Sequence, residues 1–454
     1  MKTTLITNAY ACIGGVEGRY DLGIDGGGRI GQIAPAGTLP AGLYDRVVDG
    51  EACVMVPGGV DGHAHLDYWM GDQRTCDDFY TGSRAALAGG TTTIVDFCEP
   101  QPGQLPEQAI ARRLEAARKA AVDYALHFAF TENYREELKH LDAVRAAGIG
   151  SWKLFTTYPN TTLSYADIEA VFASVGEGSA FLVHAEDNDR INQLRREMDA
   201  SGREDMYALF QTRCNEVEAR SVRTLAALRK KYGVELCIAH TSTREALCIK
   251  REEDPALRLE TCPHYLALTS ECYRGAEGGL YAINPPLKGE EDRLALWEAV
   301  MDGTVDMIST DHCPFTRAQK LAEPSYKRVP CGLSGLQTRM QYMFSEALHR
   351  AMPLRRFVEL TSENAARFYG LYPRKGCLRE GSDADIVLIN RERSHCFSRE
   401  EFAGAEDYNI FEGTEFRGVI ERVFLRGNEV YTGGAVQAEQ GTGAYIASER
   451  RGRK

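Results

Sequence analysis

Six residues define the chemistry open to this chain: His63, His65, Lys153, His184, His240 and Asp311. One metal ion needs about four protein or water ligands. Four histidines, a carboxylate and a lysine therefore suffice for two ions sharing a bridge, a device for making hydroxide and aiming it at an electrophile. His63 and His65 stand two apart, and on a strand residues i and i+2 point the same way, so both reach one ion. Lys153 lies in Gly150-Ser151-Trp152-Lys153-Leu154-Phe155, where an ammonium without a partner is costly. Burial lowers a lysine's pKa and frees the neutral amine, which can add CO2 and become an anionic carbamate. Asp311 reads either as a helix cap or as a ligand and proton shuttle; facing the histidines, it suits the second role better. Tyr158 is either a rim aromatic or a phenol donating to a developing oxyanion.

The elements that must position these residues show in the hydrophobic rhythm. Short apolar runs lie near residues 60–65, 92–97, 124–130, 149–154, 180–185, 234–239, 257–262 and 305–310. Helix-compatible stretches separate them, such as Glu107 to Ala121 and Glu204 to Tyr232. Eight such alternations predict an α/β chain with a (β/α)8 TIM-like barrel, whose functional residues sit at the C-terminal ends of the strands. The candidate ligands fall at those ends. Helices are expected over roughly 335–350 and 354–370. Short β segments before the barrel and after it predict a small β-sandwich built from both chain ends. The expected division is 1–55 and 376–432 for the sandwich, 56–375 for the barrel, and 433–454 for a C-terminal extension or tail, its terminal Arg450, Arg451, Arg453 and Lys454 solvated. Of the other histidines, His127 reads as a satisfied core residue, while His264 and His312, near strand ends, read as supports for the ligands.

The bulk numbers bound the partners. The 454 residues suit a large barrel plus an accessory unit, and a formal net charge of -12 argues against nucleic acid or an anionic membrane. No continuous apolar stretch suggests a secretory signal or a membrane span. Thirteen scattered cysteines without a CxxC pair read as reduced thiols in a cytoplasmic protein. Cys237, Cys262 and Cys313 read as small core residues rather than nucleophiles.

Several segments together resemble the dihydropyrimidinase/hydantoinase branch of the amidohydrolase superfamily. They are Asp61-Gly62-His63-Ala64-His65, Asp77-Asp78-Phe79-Tyr80-Thr81-Gly82, Ala85 to Thr93, Val183-His184-Ala185-Glu186, Ser309 to Phe315, Tyr372 to Gly376 and Gly381 to Val387. The resemblance runs to about residue 430. It implies two divalent metal ions, zinc in the family, and a carbamate on Lys153 as their bridge. It places His63, His65 and Asp311 on one ion and His184 and His240 on the other. The implied reaction hydrolyses the cyclic amide bond of a dihydropyrimidine or 5-substituted hydantoin to an N-carbamoyl amino acid. Tyr158 would stabilise the oxyanion, and Asp311 would carry the proton to the leaving ring nitrogen. A homotetramer or homodimer is implied by family habit.

Two positions depart from the family pattern. Asn284 stands where hydantoinases usually carry serine, and Cys331 where many carry asparagine; both are expected to contact the ring through backbone atoms. Loops holding Leu66, Tyr68, Trp69, Met70, Phe155 and Pro159 are expected to line a pocket for an apolar or aromatic ring substituent. Dihydroorotase is the nearest rival, but its substrate carboxylate is gripped by an arginine two residues after HxH, where Asp67 stands here and is expected to repel it. Allantoinase is a further rival. A non-catalytic assembly protein of the same family is the alternative of another class, and the six filled ligand positions speak against it.

Overall fold

The computed structural model describes residues 2–323 and 325–450. The eight expected runs form eight parallel strands: β1 Gly59–Ala64, β2 Thr91–Cys98, β3 Asp123–Ala129, β4 Ser151–Phe155, β5 Ala180–His184, β6 Glu235–Ile238, β7 Arg258–Thr261 and β8 Met307–Ile308. Each pairs with the next in chain order. The ring closes through a parallel bridge between Ala64 and His312, with the His65 N–H donating to the His312 carbonyl at 2.8 Å. This is the expected TIM-like barrel.

Strand alternation sorts the side chains. On β4 and β5, Trp152, Leu154, Phe181 and Val183 face outward into the helix layer. Leu182 points inward with Val60, Val95, Phe97 and Met307, and Lys153 and His184 share that inward parity. The floor of the interior is stopped by Phe368 and Tyr369 from the helical stretch after the barrel. A Cβ on Gly62 would run into the Tyr369 ring, so the HxH strand can pass there only as glycine.

The two expected helices appear as Arg339–His349 and as a continuous helical stretch from Leu354 to Phe368. The helix-compatible stretch over 204–232 forms two helices, Tyr207–Thr212 and Asn215–Tyr232. The break falls at Arg213, whose fully buried guanidinium pairs with Glu186 inside the barrel mouth. A buried ion pair won over continued helix.

Both chain ends build the accessory sandwich, nine strands hydrogen-bonded into one mixed sheet. Strand Ile386–Cys396 lies between Cys53–Pro57 from the N-terminal part and Glu415–Leu425 from the C-terminal part. A buried polar cluster joins sheet to barrel. Lys375 Nζ contacts Asp123 at 2.5 Å, Asp385 at 2.8 Å and Asp383 at 3.0 Å, and Arg426 also pairs with Asp123.

The C-terminal segment, expected as an extension or tail, packs against the barrel in its described part. Residues 442–450 form a strap across the barrel floor: Ala444 and Ile446 exchange backbone hydrogen bonds with Tyr124, Ser448 donates to Gly148, and Glu449 donates to Gly370. Ile446 is 1% exposed, and Arg450 pairs with Glu235 at 2.6 Å. Apolar burial and unsatisfied strand-start carbonyls hold down what composition alone marked as a tail. Residues 451–454 lie outside the described region. Among the described residues, no helix is long and apolar enough to cross a membrane.

Candidate functional site

The six candidate ligands converge at the C-terminal mouth of the barrel, around a cavity of about 260 Å3. His63 lies on β1 with His65 just beyond its end, Lys153 sits on β4, His184 ends β5, and His240 and Asp311 follow β6 and β8. Asp311 Oδ1 lies 3.2 Å from the Nε2 of both His63 and His65. Lys153 Nζ is 3.4 Å from His63 Nε2, and His184 Nδ1 is 2.9 Å from His240 Nε2.

Carboxylates brace the rear of this set. Glu260 on β7 takes His63 Nδ1 at 2.8 Å and is held by the Ser309 hydroxyl. Glu186 takes His184 Nε2 at 2.7 Å and is itself paired with Arg213. Asp61 accepts from the backbone of His63 and of Thr310, locking together the segments that carry His63 and Asp311. Such outer partners fix the ring orientation and tautomer of a ligating histidine. The motif spacing could not reveal Glu260, because it lies on a strand with no ligand of its own.

Electrostatics favours ligand protonation states. Burial first, and next the Lys153 charge, hold His63 well below the ordinary imidazole value; burial and then His184 do the same for His240. Burial lowers Lys153 against the pull of Asp311 and Glu260. Its side chain is fully buried, over the rings of Phe97 and Phe155. The Nδ1 atoms of His65 and His240 are buried without partners. Imidazoles converging on Asp311 and on a lysine with a lowered pKa make a donor set that fits a pair of divalent cations. The nitrogens of His63 and His65 and an oxygen of Asp311 lie within 4.8 Å of one another, as one shared ion requires.

His240, Asp311 and Tyr158 all have positive φ, at 36°, 49° and 94°. Non-glycine residues adopt such angles only where their surroundings enforce them, and they gather at functional sites. The Tyr158 ring packs edge-on against His184 at 4.8 Å and lies under the Arg213 guanidinium. Burial keeps its phenol well above the ordinary tyrosine value, so it remains a donor.

Asn284, Cys331, Trp69 and Phe155 line the cavity, together with Tyr68, Met70 and Pro159. Leu66 does not. The chain turns after Ala64, and the Leu66 side chain is buried, filling the space above Gly82. Asp67 also turns away, pairing with Arg74. Its expected repulsion of a substrate carboxylate is therefore offset by Arg74, although among the described residues no arginine lines this cavity. His127 is satisfied in the core by Ser151 and the Gly62 carbonyl. His312 bonds Asp77 at 3.0 Å and the Gly335 N–H, bracing the loop behind Asp311 rather than facing the cavity. Lys320 was not foreseen. Fully buried, it donates to the carbonyls of Ala282, Pro330 and Gly332 at 2.6–2.9 Å and so ties together the loops that carry Asn284 and Cys331.

A closed eight-stranded barrel with histidines, a buried lysine and an aspartate at its mouth is the architecture of a metal-dependent hydrolase. The amidohydrolase family profile matches residues 54–430, and the chain belongs to that family. It is 33% identical to a D-hydantoinase of Streptomyces coelicolor over 92% of each chain. It is 34% identical to a D-phenylhydantoinase of Escherichia coli over 97% of each. Its fold superposes on the dihydropyrimidinase from Brevibacillus agri with a TM-score of 0.94, at 31% identity and full coverage of both chains.

Proposed function

We propose that this cyclic amidohydrolase opens dihydropyrimidine or 5-substituted hydantoin rings to N-carbamoyl amino acids. The observation that carries the reading is the convergence of six ligand-type side chains on one cavity, with neutral imidazoles and a lysine stripped of solvent. His63, His65 and Asp311 would hold one divalent cation, zinc by family resemblance, and His184 and His240 a second, with Lys153 between them as its carbamate. When bound, the cations supply the Lewis acidity that acidifies water and polarises a carbonyl.

The chain's own residues do the rest. Water adds to a ring carbonyl carbon, the adjacent carbon–nitrogen bond breaks, and the proton lost by water finishes on the ring nitrogen. Tyr158 donates to the carbonyl oxygen as it gains charge, an interaction worth about 3 kcal/mol where water is excluded. Asp311 accepts the proton from water and returns it to the leaving nitrogen. Backbone groups around Asn284 and Cys331 hold the ring, and Trp69 and Phe155 flank its substituent. Thirteen unpaired cysteines support a reducing, cytoplasmic setting. A homotetramer or homodimer is the assembly the resemblance favours.

The test is a substrate panel with purified, zinc- and bicarbonate-supplied protein. Dihydrouracil or a 5-substituted hydantoin should turn over well, and dihydroorotate and allantoin poorly. Faster hydrolysis of dihydroorotate or allantoin would overturn the assignment.

A further inference from the structure

The cavity wall carries one acid that the mechanism does not use. Glu99 directly follows β2 and lines the cavity with His65, Tyr68, Trp69, Phe155 and Tyr158. The cations behind it are engaged elsewhere. The Arg112 guanidinium donates to the Glu99 main-chain carbonyl at 2.8 Å, while Arg113 pairs with Asp96 and bonds the Leu66 carbonyl. The half-buried Tyr68 phenol lies beside the Glu99 carboxyl.

A carboxyl among aromatic rings, with no cation of its own, is expensive to keep charged. Burial pushes Glu99 up to about 7 against the pull of Arg112 and Arg113. A bound cation would remove that penalty, and the neighbouring ring faces would add their own attraction for it. An anionic substituent would instead meet like charge.

We propose that Glu99 is a specificity residue that selects ring substituents ending in a cation, an ammonium or guanidinium group, which it pairs against the Tyr68, Trp69 and Phe155 rings. The inference rests on the hydrolase reading above and refines its substrate class. It departs from the purely apolar pocket that the loop residues suggest.

The test compares 5-(4-aminobutyl)hydantoin with 5-butylhydantoin, which lacks only the amine, in the wild type and in Glu99→Gln. One charge-assisted pair corresponds to about tenfold in kcat/KM. The wild type should favour the amine by about that factor. Glu99→Gln should abolish the preference through KM, leaving kcat and the rate on 5-butylhydantoin within about threefold. Binding of the two products, N-carbamoyl-lysine and N-carbamoyl-norleucine, should show the same preference by calorimetry. Equal kcat/KM for the two rings in the wild type, or an equal fall for both in Glu99→Gln, would overturn the role of Glu99 while leaving the hydrolase standing. Failure to open any ring, with neither product bound, would instead overturn the reading beneath it and this inference with it.

Discussion

Tyr158 packs against His184 and Glu260 bonds His63 in the same cluster of histidines, and their substitutions should separate transition-state stabilisation from metal retention. Tyr158→Phe removes the hydroxyl proposed to donate to the substrate carbonyl and no side chain proposed to hold a metal. It should lower kcat about 100- to 1,000-fold with metal content unchanged by elemental analysis. Glu260→Gln frees His63 to rotate, and the loss should appear as metal affinity reduced about 10- to 100-fold, measured by competition with a chelator. A Tyr158→Phe protein that also lost its metal would refute this division. At this scale the sequence was most legible where chemistry and strand position coincide. HxH, the buried lysine and the strand-end histidines and aspartate could be found because each ends a recognisable apolar run. Leu66 misled because alternation stops where the strand stops. Glu99 and Glu260 escaped notice because a single acid in an apolar run looks the same whether it faces solvent, a ligand or a cavity.

At the scale of elements, the loops that carry Asn284 and Cys331 are tied together by a lysine that does not line the cavity. Lys320 gathers three carbonyls from the segments carrying Asn284 and Cys331, and burial lowers its pKa to about 8. Lys320→Met keeps the apolar stem but strands those carbonyls. Each buried group left unpaired costs about 1–3 kcal/mol, and the loops should loosen. The expected outcome is KM raised about tenfold or more, with metal content intact; an unchanged KM would show that the loops hold their shape without it. The order and direction of the strands were readable from the rhythm of apolar runs. The break at Arg213 was not, since helix periodicity persists through 204–232 and only the distant Glu186 explains why the chain leaves it.

For the molecule as a whole, the junction of sheet and barrel is electrostatic as much as apolar. Burial pushes Asp383 up, but the charges of Lys375 and Arg374 outweigh it and hold the carboxyl below its ordinary value. A depressed carboxylate contributes stability that is complete above about pH 4 and is lost as pH falls through the folded-state value. Lys375→Met leaves Asp123, Asp383 and Asp385 facing one another in the interior. It should destabilise the protein by about 3–5 kcal/mol at neutral pH and make the acid side of its unfolding profile shallower. Denaturant unfolding at pH 7 and pH 4 measures both, and equal losses at the two pH values would argue against this account.

The strap on the barrel floor bears on the order in which the protein can be assembled. Every group it touches precedes it in the chain, and the bond from the Ala444 N–H to Asp123 spans 321 residues. Gly443 passes so close to the Val122 carbonyl that no side chain fits there, so the strap can seat only on a strand already in place. Contacts between such distant positions form slowly, because a long loop must close before they repay its entropy. The underside of the cylinder is thus sealed late, by a piece of chain synthesised after everything it covers. Until that piece is made, the site that Ile446 fills beside Phe368 and Tyr369 lacks its occupant.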